Sequence, residues 1–178
     1  LFSSQSLVFA QESNDQPIEY HVATSLISIG EIDKKIGTYE LDFWYSIFAE
    51  GYDLTVMPPP EVDFVNGKNE QISSQYLASN IYEQRVRGTF VNTMDFHDFP
   101  FEKIKLKVDI EPVTPWSTER VILKVDPASG IDETANVPGW FVTDPNFSVI
   151  EKTYRTSGES YSRYVAEFTV ERSPLGSF

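Results

Sequence analysis

The chain has 178 residues, room for one domain rather than two, and an ordinary globular balance of 40% hydrophobic and 23% charged residues. A net charge of −13 argues against a nucleic-acid partner, which needs a basic patch. The absence of cysteine excludes a disulfide framework, a thiolate metal site and a cysteine nucleophile.

Residues 1–17, "LFSSQSLVFAQESNDQP", leave two readings open. One is the remnant of a signal peptide, with Val8-Phe9-Ala10 as its small-residue cleavage site; the other is an ordinary N-terminal segment. No apolar run is long enough to span a bilayer. Ile18 to Ile32 is apolar and β-branched and reads as a strand. "EIDKKIGTYE" is a charged hairpin turn. "YELDFWYSIFA" is a second strand, apolar through Phe43, Tyr45 and Ile47 on one face and through Trp44 and Phe48 on the other. A strand apolar on both faces is covered on both, here by the domain's own core and by a partner subunit.

"TVMPPPEVDFVNGKNE" carries three successive prolines and an Asn-Gly turn, which exclude a helix. "QISSQYLASNIYEQRVRGTFVN" holds two strands with a turn near Ser79-Asn80. In "MDFHDFPFEKIKLKV", Ile104, Leu106 and Val108 alternate with Lys103, Lys105 and Lys107, the pattern of a half-buried strand running to Ile110. Just before it, Phe96, Phe99 and Phe101 crowd round Pro100 among Asp95, Asp98 and Glu102. Turns normally take small polar residues, so rings placed there call for a surface to meet.

"EPVTPWSTE" reads as a proline-rich loop exposing Trp116. "RVILKVD" is a short strand, "PASGIDETANVP" a loop and "GWFVTD" a short strand. "FSVIEKTYRT" and "SYSRYVAEFTVER" form a final hairpin about a glycine turn. On its last strand Tyr164, Ala166, Phe168 and Val170 share one parity, and Arg172 falls on the same side. About ten short strands and almost no helix signal define an all-β sandwich or barrel.

The sequence offers no catalytic constellation. His21 and His97 do not sit at zinc spacing, and no nucleophile elbow, phosphate loop or EF-hand loop is present. The acids cluster in turns, as on a solvated surface. No enzyme activity, metal or cofactor is expected. Asn146-Phe147-Ser148 matches the glycosylation sequon by pattern alone.

From about Tyr20 to Phe178, the order of these features resembles the extracellular domain of the pentameric ligand-gated ion channels, the Cys-loop receptor superfamily. Phe99-Pro100-Phe101-Glu102 stands at the family's aromatic-Pro-Phe-Asp core. Asn92 and Leu106 stand where eukaryotic members carry cysteines, which points to the prokaryotic, cysteine-less branch. Glu102 replaces the usual Asp, and Ile104 a frequent Gln. Phe48-Ala49-Glu50 falls at a Trp-x-Asp position, and Pro60, Glu61 and Asn66 at the Trp-x-Pro-Asp-x-x-x-x-Asn segment. "GWFV" is similar to a Gly-Trp-x-Ile strand. Thr156–Glu159 would be the turn that closes over the agonist.

The resemblance implies a twisted, immunoglobulin-like β-sandwich over residues 18–172, with 173–178 starting the linker to a first transmembrane helix. It implies a homopentamer in the cell membrane, this domain extracellular or periplasmic. A small agonist, amine or amino-acid-like, would bind between subunits in an aromatic box of Trp116, Tyr154 and Tyr161, with Phe43 from the neighbour. Arg85 opposes the amine, because it matches a position that presents an arginine to carboxylate ligands. Asp33, Asp98, Phe99, Pro100, Phe101, Glu102 and Arg172 would meet the transmembrane domain of the same full-length chain. Arg172 would pair with Glu102 and with Asp33 or Glu31. The alternative is a membrane-tethered or soluble small-molecule sensor of the same fold without a pore. A third reading, a carbohydrate-binding sandwich, comes from the tryptophans.

Overall fold

The computed structural model describes residues 16–93, 103–136 and 139–172, the side chains of Asn136 and Arg172 excepted. Among them are ten strands and no helix: β1 (Ile18–Asp33), β2 (Thr38–Phe48), β3 (Val62–Phe64), β4 (Gly67–Leu77), β5 (Ile81–Val91), β6 (Lys103–Pro112), β7 (Val121–Val125), β8 (Gly130–Asn136), β9 (Trp140–Thr153) and β10 (Ser160–Arg172). They form two sheets in an all-β sandwich. One has the order β4-β5-β2-β1-β7, with β8 also paired to β1; the other has the order β3-β6-β10-β9. β7 and β8 run parallel to β1 and lie end to end along it, β7 beside Ile18–Val22 and β8 beside Ser25–Ser28.

Period-two alternation sets the core. Phe43, Tyr45 and Ile47 of β2 point inward, and Ile104, Leu106 and Val108 of β6 meet them from the other sheet. Tyr164, Ala166, Phe168 and Val170 of β10 join the same cluster. The lysines of β6 lie outside, where Lys103 pairs with Glu171 at 2.8 Å and Lys105 with Glu167 at 3.1 Å.

Polar staples cross this apolar layer. The Tyr39 hydroxyl donates to the Lys107 carbonyl at 2.7 Å and accepts the Lys107 amide at 2.9 Å. Burial pushes its phenol well above the ordinary range. Asn66, from the Asn-Gly turn, donates to the Val91 and Lys107 carbonyls at 3.1 and 2.8 Å. That turn is a crossover rather than a hairpin: β3 pairs with β6 in one sheet, β4 with β5 in the other. Ser162 of β10 accepts the Leu123 amide of β7 at 2.9 Å. Each bond satisfies a group that would otherwise be costly to bury.

Three sequence expectations change. "PASGIDETANVP" contains strand β8 rather than being all loop. The two short strands expected after Gly139 are one strand, β9, despite Pro145. β9 ends its sheet, so an edge is available to a residue without an N–H, and the register shifts between Glu167 and Thr169 opposite Asp144, whose φ is 46°. Trp116 is half-buried against the core rather than exposed.

The sandwich has two distinct ends. At one, the β1–β2 turn meets the end of β5, with the Asn92 amide donating to the Gly37 carbonyl at 3.0 Å. Gly37 has φ 70°, and a Cβ there would stand 2.6 Å from the Asn92 carbonyl oxygen, so only glycine fits. β6 starts at this end, Trp140 pairs with Arg172 there, and Lys34 Nζ lies 5.5 Å from the Trp140 ring centre. At the other end are the β4–β5 turn, the loop 113–120 and the β9–β10 hairpin, where the Thr118 amide donates to the Ser160 carbonyl at 2.8 Å.

Candidate functional site: a tyrosine-lined hollow beneath the β9–β10 hairpin

The β9–β10 hairpin turns at Gly158, with φ 74°, and closes through Gly158 N–H to the Tyr154 carbonyl at 2.8 Å. It overhangs a hollow of about 330 Å³ lined by Tyr154 and Tyr161, by Asp63 and Glu111, and by Val113 and Thr114. The two tyrosine rings meet edge to face, centroids 5.8 Å apart at 76°. That geometry sets the positive edge of one ring against the negative face of the other.

Hydrogen bonds fix both rings. Tyr154 donates to Glu111 Oε1 at 2.7 Å and accepts from Arg163 Nη2 at 2.9 Å. Arg163 Nε donates to Glu111 Oε2 at 2.9 Å. β6 and β10 place this pair, because outward positions 109 and 111 lie beside outward position 163. Burial, then the hydrogen bond to Glu111, raises the Tyr154 phenol. Burial alone would lower the Arg163 guanidinium, and Glu111 outweighs it, raising the group above its ordinary value. The Tyr161 hydroxyl donates to Glu159 Oε2 at 2.9 Å and lies 3.0 Å from Thr114 Oγ1.

The charge balance of the hollow is acidic. Arg163 neutralises Glu111, while Asp63 and Glu159 line the space and form no ion pair among the described residues. Two aromatic rings and surplus carboxylate suit a cation far better than an anion.

The expected site residues do not all gather here. Tyr154 and Tyr161 come together; Trp116 does not line the hollow, and its half-buried side chain packs against the core instead. Phe43 corrects the expectation of a ring facing the site. It is 2% exposed, packed among Phe64 and Phe90 at 5.8 Å each, so it has no surface to present. Its neighbour Trp44 has the opposite parity and lies half-buried on the outer face.

Arg85 is on that outer face, paired in register with Trp44. It holds Asp42 through Nε–Oδ1 and Nη2–Oδ2, both 2.8 Å, and Arg87 Nε adds a third bond to Asp42 Oδ2 at 2.7 Å. Its fork is therefore occupied by a protein carboxylate. Burial tends to raise the Asp42 carboxyl, and the two guanidinium groups overcome this and hold it below its usual value.

At the opposite end, Asp33 Oδ1 accepts the Lys35 amide at 2.9 Å and caps its own turn. Asp98, Phe99, Pro100, Phe101 and Glu102 lie outside the described residues, as does the side chain of Arg172. Sequence reasoning missed Glu111, Arg163, Asp63 and Glu159. The available signal was the outward parity of "KVDIE", which sets Lys107, Asp109 and Glu111 on one face of a buried strand.

No protein-family model matches the chain, and no curated protein matches it.

Proposed function

We propose that the chain is the extracellular ligand-binding domain of a prokaryotic, cysteine-less pentameric ligand-gated ion channel, binding a small amine or amino-acid-like agonist and doing no chemistry. The observation that carries this reading is the hollow under the β9–β10 hairpin, with Tyr154 and Tyr161 edge to face and Asp63 and Glu159 beside them. An ammonium group is attracted by ring faces and by carboxylates together. The lock of Arg85 on Asp42 removes the feature that favoured a carboxylate ligand.

The two-ended layout supports the rest. A ligand hollow at one end and the β1–β2 turn with the end of β10 at the other suit a domain that joins a ligand to a membrane pore. In a homopentamer the outer face of β2 would meet the neighbouring subunit, with Trp44 replacing Phe43 as the ring offered across the interface. The agonist would shift the population between resting and open states by its differential affinity for them. A channel and a poreless sensor differ in the chain beyond Phe178: four apolar spans of about 20 residues each belong to a channel, a signalling domain to a sensor.

The test is calorimetric titration of the chain with a panel of small amines and carboxylates. Amines bind, and Tyr161→Ala weakens them by about 1–2 kcal/mol. Binding of carboxylates alone, or amine affinity unchanged in Tyr161→Ala, overturns the assignment.

A further inference from the structure

Asn66 is the only asparagine of the chain followed by glycine. Glycine has no Cβ to hinder the approach of its backbone nitrogen to the preceding side chain, and its backbone is free to adopt the bend such an approach needs. An asparagine in this position can therefore lose its amide to its own main chain. The same residue is the one that joins the two sheets at the β3–β4 crossover, so its chemistry bears directly on the fold.

The folded chain holds the reacting atoms apart. On the main chain, the Val65 amide donates to the Asp109 carbonyl and the Val91 amide donates to the Asn66 carbonyl, both at 2.9 Å. On the side chain, Oδ1 accepts the Asp109 amide at 2.9 Å, and Nδ2 donates to the Val91 and Lys107 carbonyls at 3.1 and 2.8 Å. Attack by Gly67 needs the side chain to swing back onto its own backbone, which breaks all three of these side-chain bonds. Each is worth about a factor of five, so the open arrangement is about a hundredfold rarer than in the unfolded chain. It does not need the core to separate: β3 has three residues, and β4 is an edge strand with most of its residues exposed.

We propose that Asn66-Gly67 is a self-modification site, whose deamidation the fold holds back and which, once converted, erases the join between the sheets. The Gly67 backbone nitrogen attacks Asn66 Cγ. The new N–Cγ bond forms as the Cγ–Nδ2 bond breaks, and Nδ2 leaves as ammonia, carrying the proton that Gly67 gives up. Water then opens the cyclic imide at either carbonyl, leaving aspartate or isoaspartate; one water is consumed and no oxidant or reductant is needed. The product side chain has lost its donor. The Val91 and Lys107 carbonyls then face an anion instead of an N–H, and the isoaspartate route adds a methylene to the main chain between β3 and β4. Repairing the join would require ammonia to be put back, so each local opening carries a risk of permanent loss. This site is independent of the ligand reading of the hairpin hollow.

The experiment is peptide mapping by mass spectrometry after incubation in mildly alkaline buffer, once with the chain folded and once in guanidinium chloride. In the unfolded chain Asn66 converts to acid faster than any other asparagine, and in the folded chain it converts about a hundredfold more slowly. Gly67→Ala puts a methyl group in the path of the attacking nitrogen and slows conversion in guanidinium chloride, a readout that does not depend on whether this variant folds. Phe43→Ala weakens the core without touching the crossover, and conversion of the folded variant keeps the wild-type rate, as local opening requires. Asn66→Asp stands in for the aspartate product and lowers the urea midpoint or prevents folding. Equal rates in the folded and unfolded chains, an unfolded rate at Asn66 no greater than at the other asparagines or unchanged by Gly67→Ala, acceleration by Phe43→Ala, or an Asn66→Asp midpoint equal to the wild type's overturns the proposal.

Discussion

Asn66 Oδ1 accepts the Asp109 backbone amide at 2.9 Å, so a turn residue completes the ladder of a strand distant in sequence. Its Nδ2 simultaneously holds the Val91 and Lys107 carbonyls. The amide therefore joins the end of β5, in one sheet, to β6 in the other. Asn66→Ala leaves an amide and two carbonyls seeking partners, and should cost about 2–3 kcal/mol. Urea unfolding measures it; a loss below about 0.5 kcal/mol would show that water replaces the side chain.

Asp42 gives the acid limb of the stability curve. Its folded-state carboxyl lies below its ordinary value of 3.8. The linked stability is complete above that value and disappears as pH falls through the lower, folded one. Asp42→Asn should therefore unfold with a shallower loss between about pH 4 and pH 2. At neutral pH it should cost only about 1–2 kcal/mol, because Arg85 and Arg87 are exposed enough to be rehydrated. Parallel acid limbs for the two proteins would contradict the assignment.

Glu111 and Arg163 are more deeply placed, with side chains 8% and 12% exposed. Glu111→Gln takes the nearest counter-charge from a buried guanidinium, leaving it only Asp109 at 3.9 Å, and should cost about 3 kcal/mol. Tyr154→Phe deletes one hydroxyl from the same network and should cost about 1 kcal/mol. The order of the two unfolding free energies is the check: equal losses would mean that the ion pair is not the centre of the network.

Phe43 and Trp44 separate core from surface on adjacent residues. Phe43→Ala should destabilise by about 3–5 kcal/mol through the cavity it leaves. Trp44→Ala should cost roughly 1 kcal/mol, since its half-buried ring borders no closed core. Denaturant midpoints of the two variants decide the matter, and a reversed order would place Trp44 inward.

Strong alternation makes most strands legible in the sequence. β1, β2, β5, β6 and β10 carry apolar residues at or near every second position, and their expected bounds lie close to the observed ones. β8 is hidden because "GIDETAN" has one large apolar residue, Ile131, and borrows its geometry from β1. Pro145 makes β9 read as two strands, since composition does not tell an edge strand from a central one. The hairpin tyrosines are legible because a glycine turn marks their hairpin. Phe43 is not, because "DFWYSIF" is apolar at adjacent positions, and only the packing against Phe64 and Phe90 fixes its parity. The Glu111–Arg163 pair joins strands distant in sequence, and single-strand patterns carry no cross-strand register.

β10, a run of 13 residues, pairs with β9 from Ser160 to Arg172 and with β6 from Tyr164 to Glu171. A slide of one residue against them would turn Tyr164, Ala166, Phe168 and Val170 out of the core together. Sliding is thus closed to it, while tilting with its sheet is not. At about 3.3 Å per residue it spans about 40 Å, from the tyrosine hollow to the Arg172 end. A small angular displacement at the hairpin becomes a lateral sweep at the far tip, so β10 has the mechanics of a stiff beam rather than of a piston.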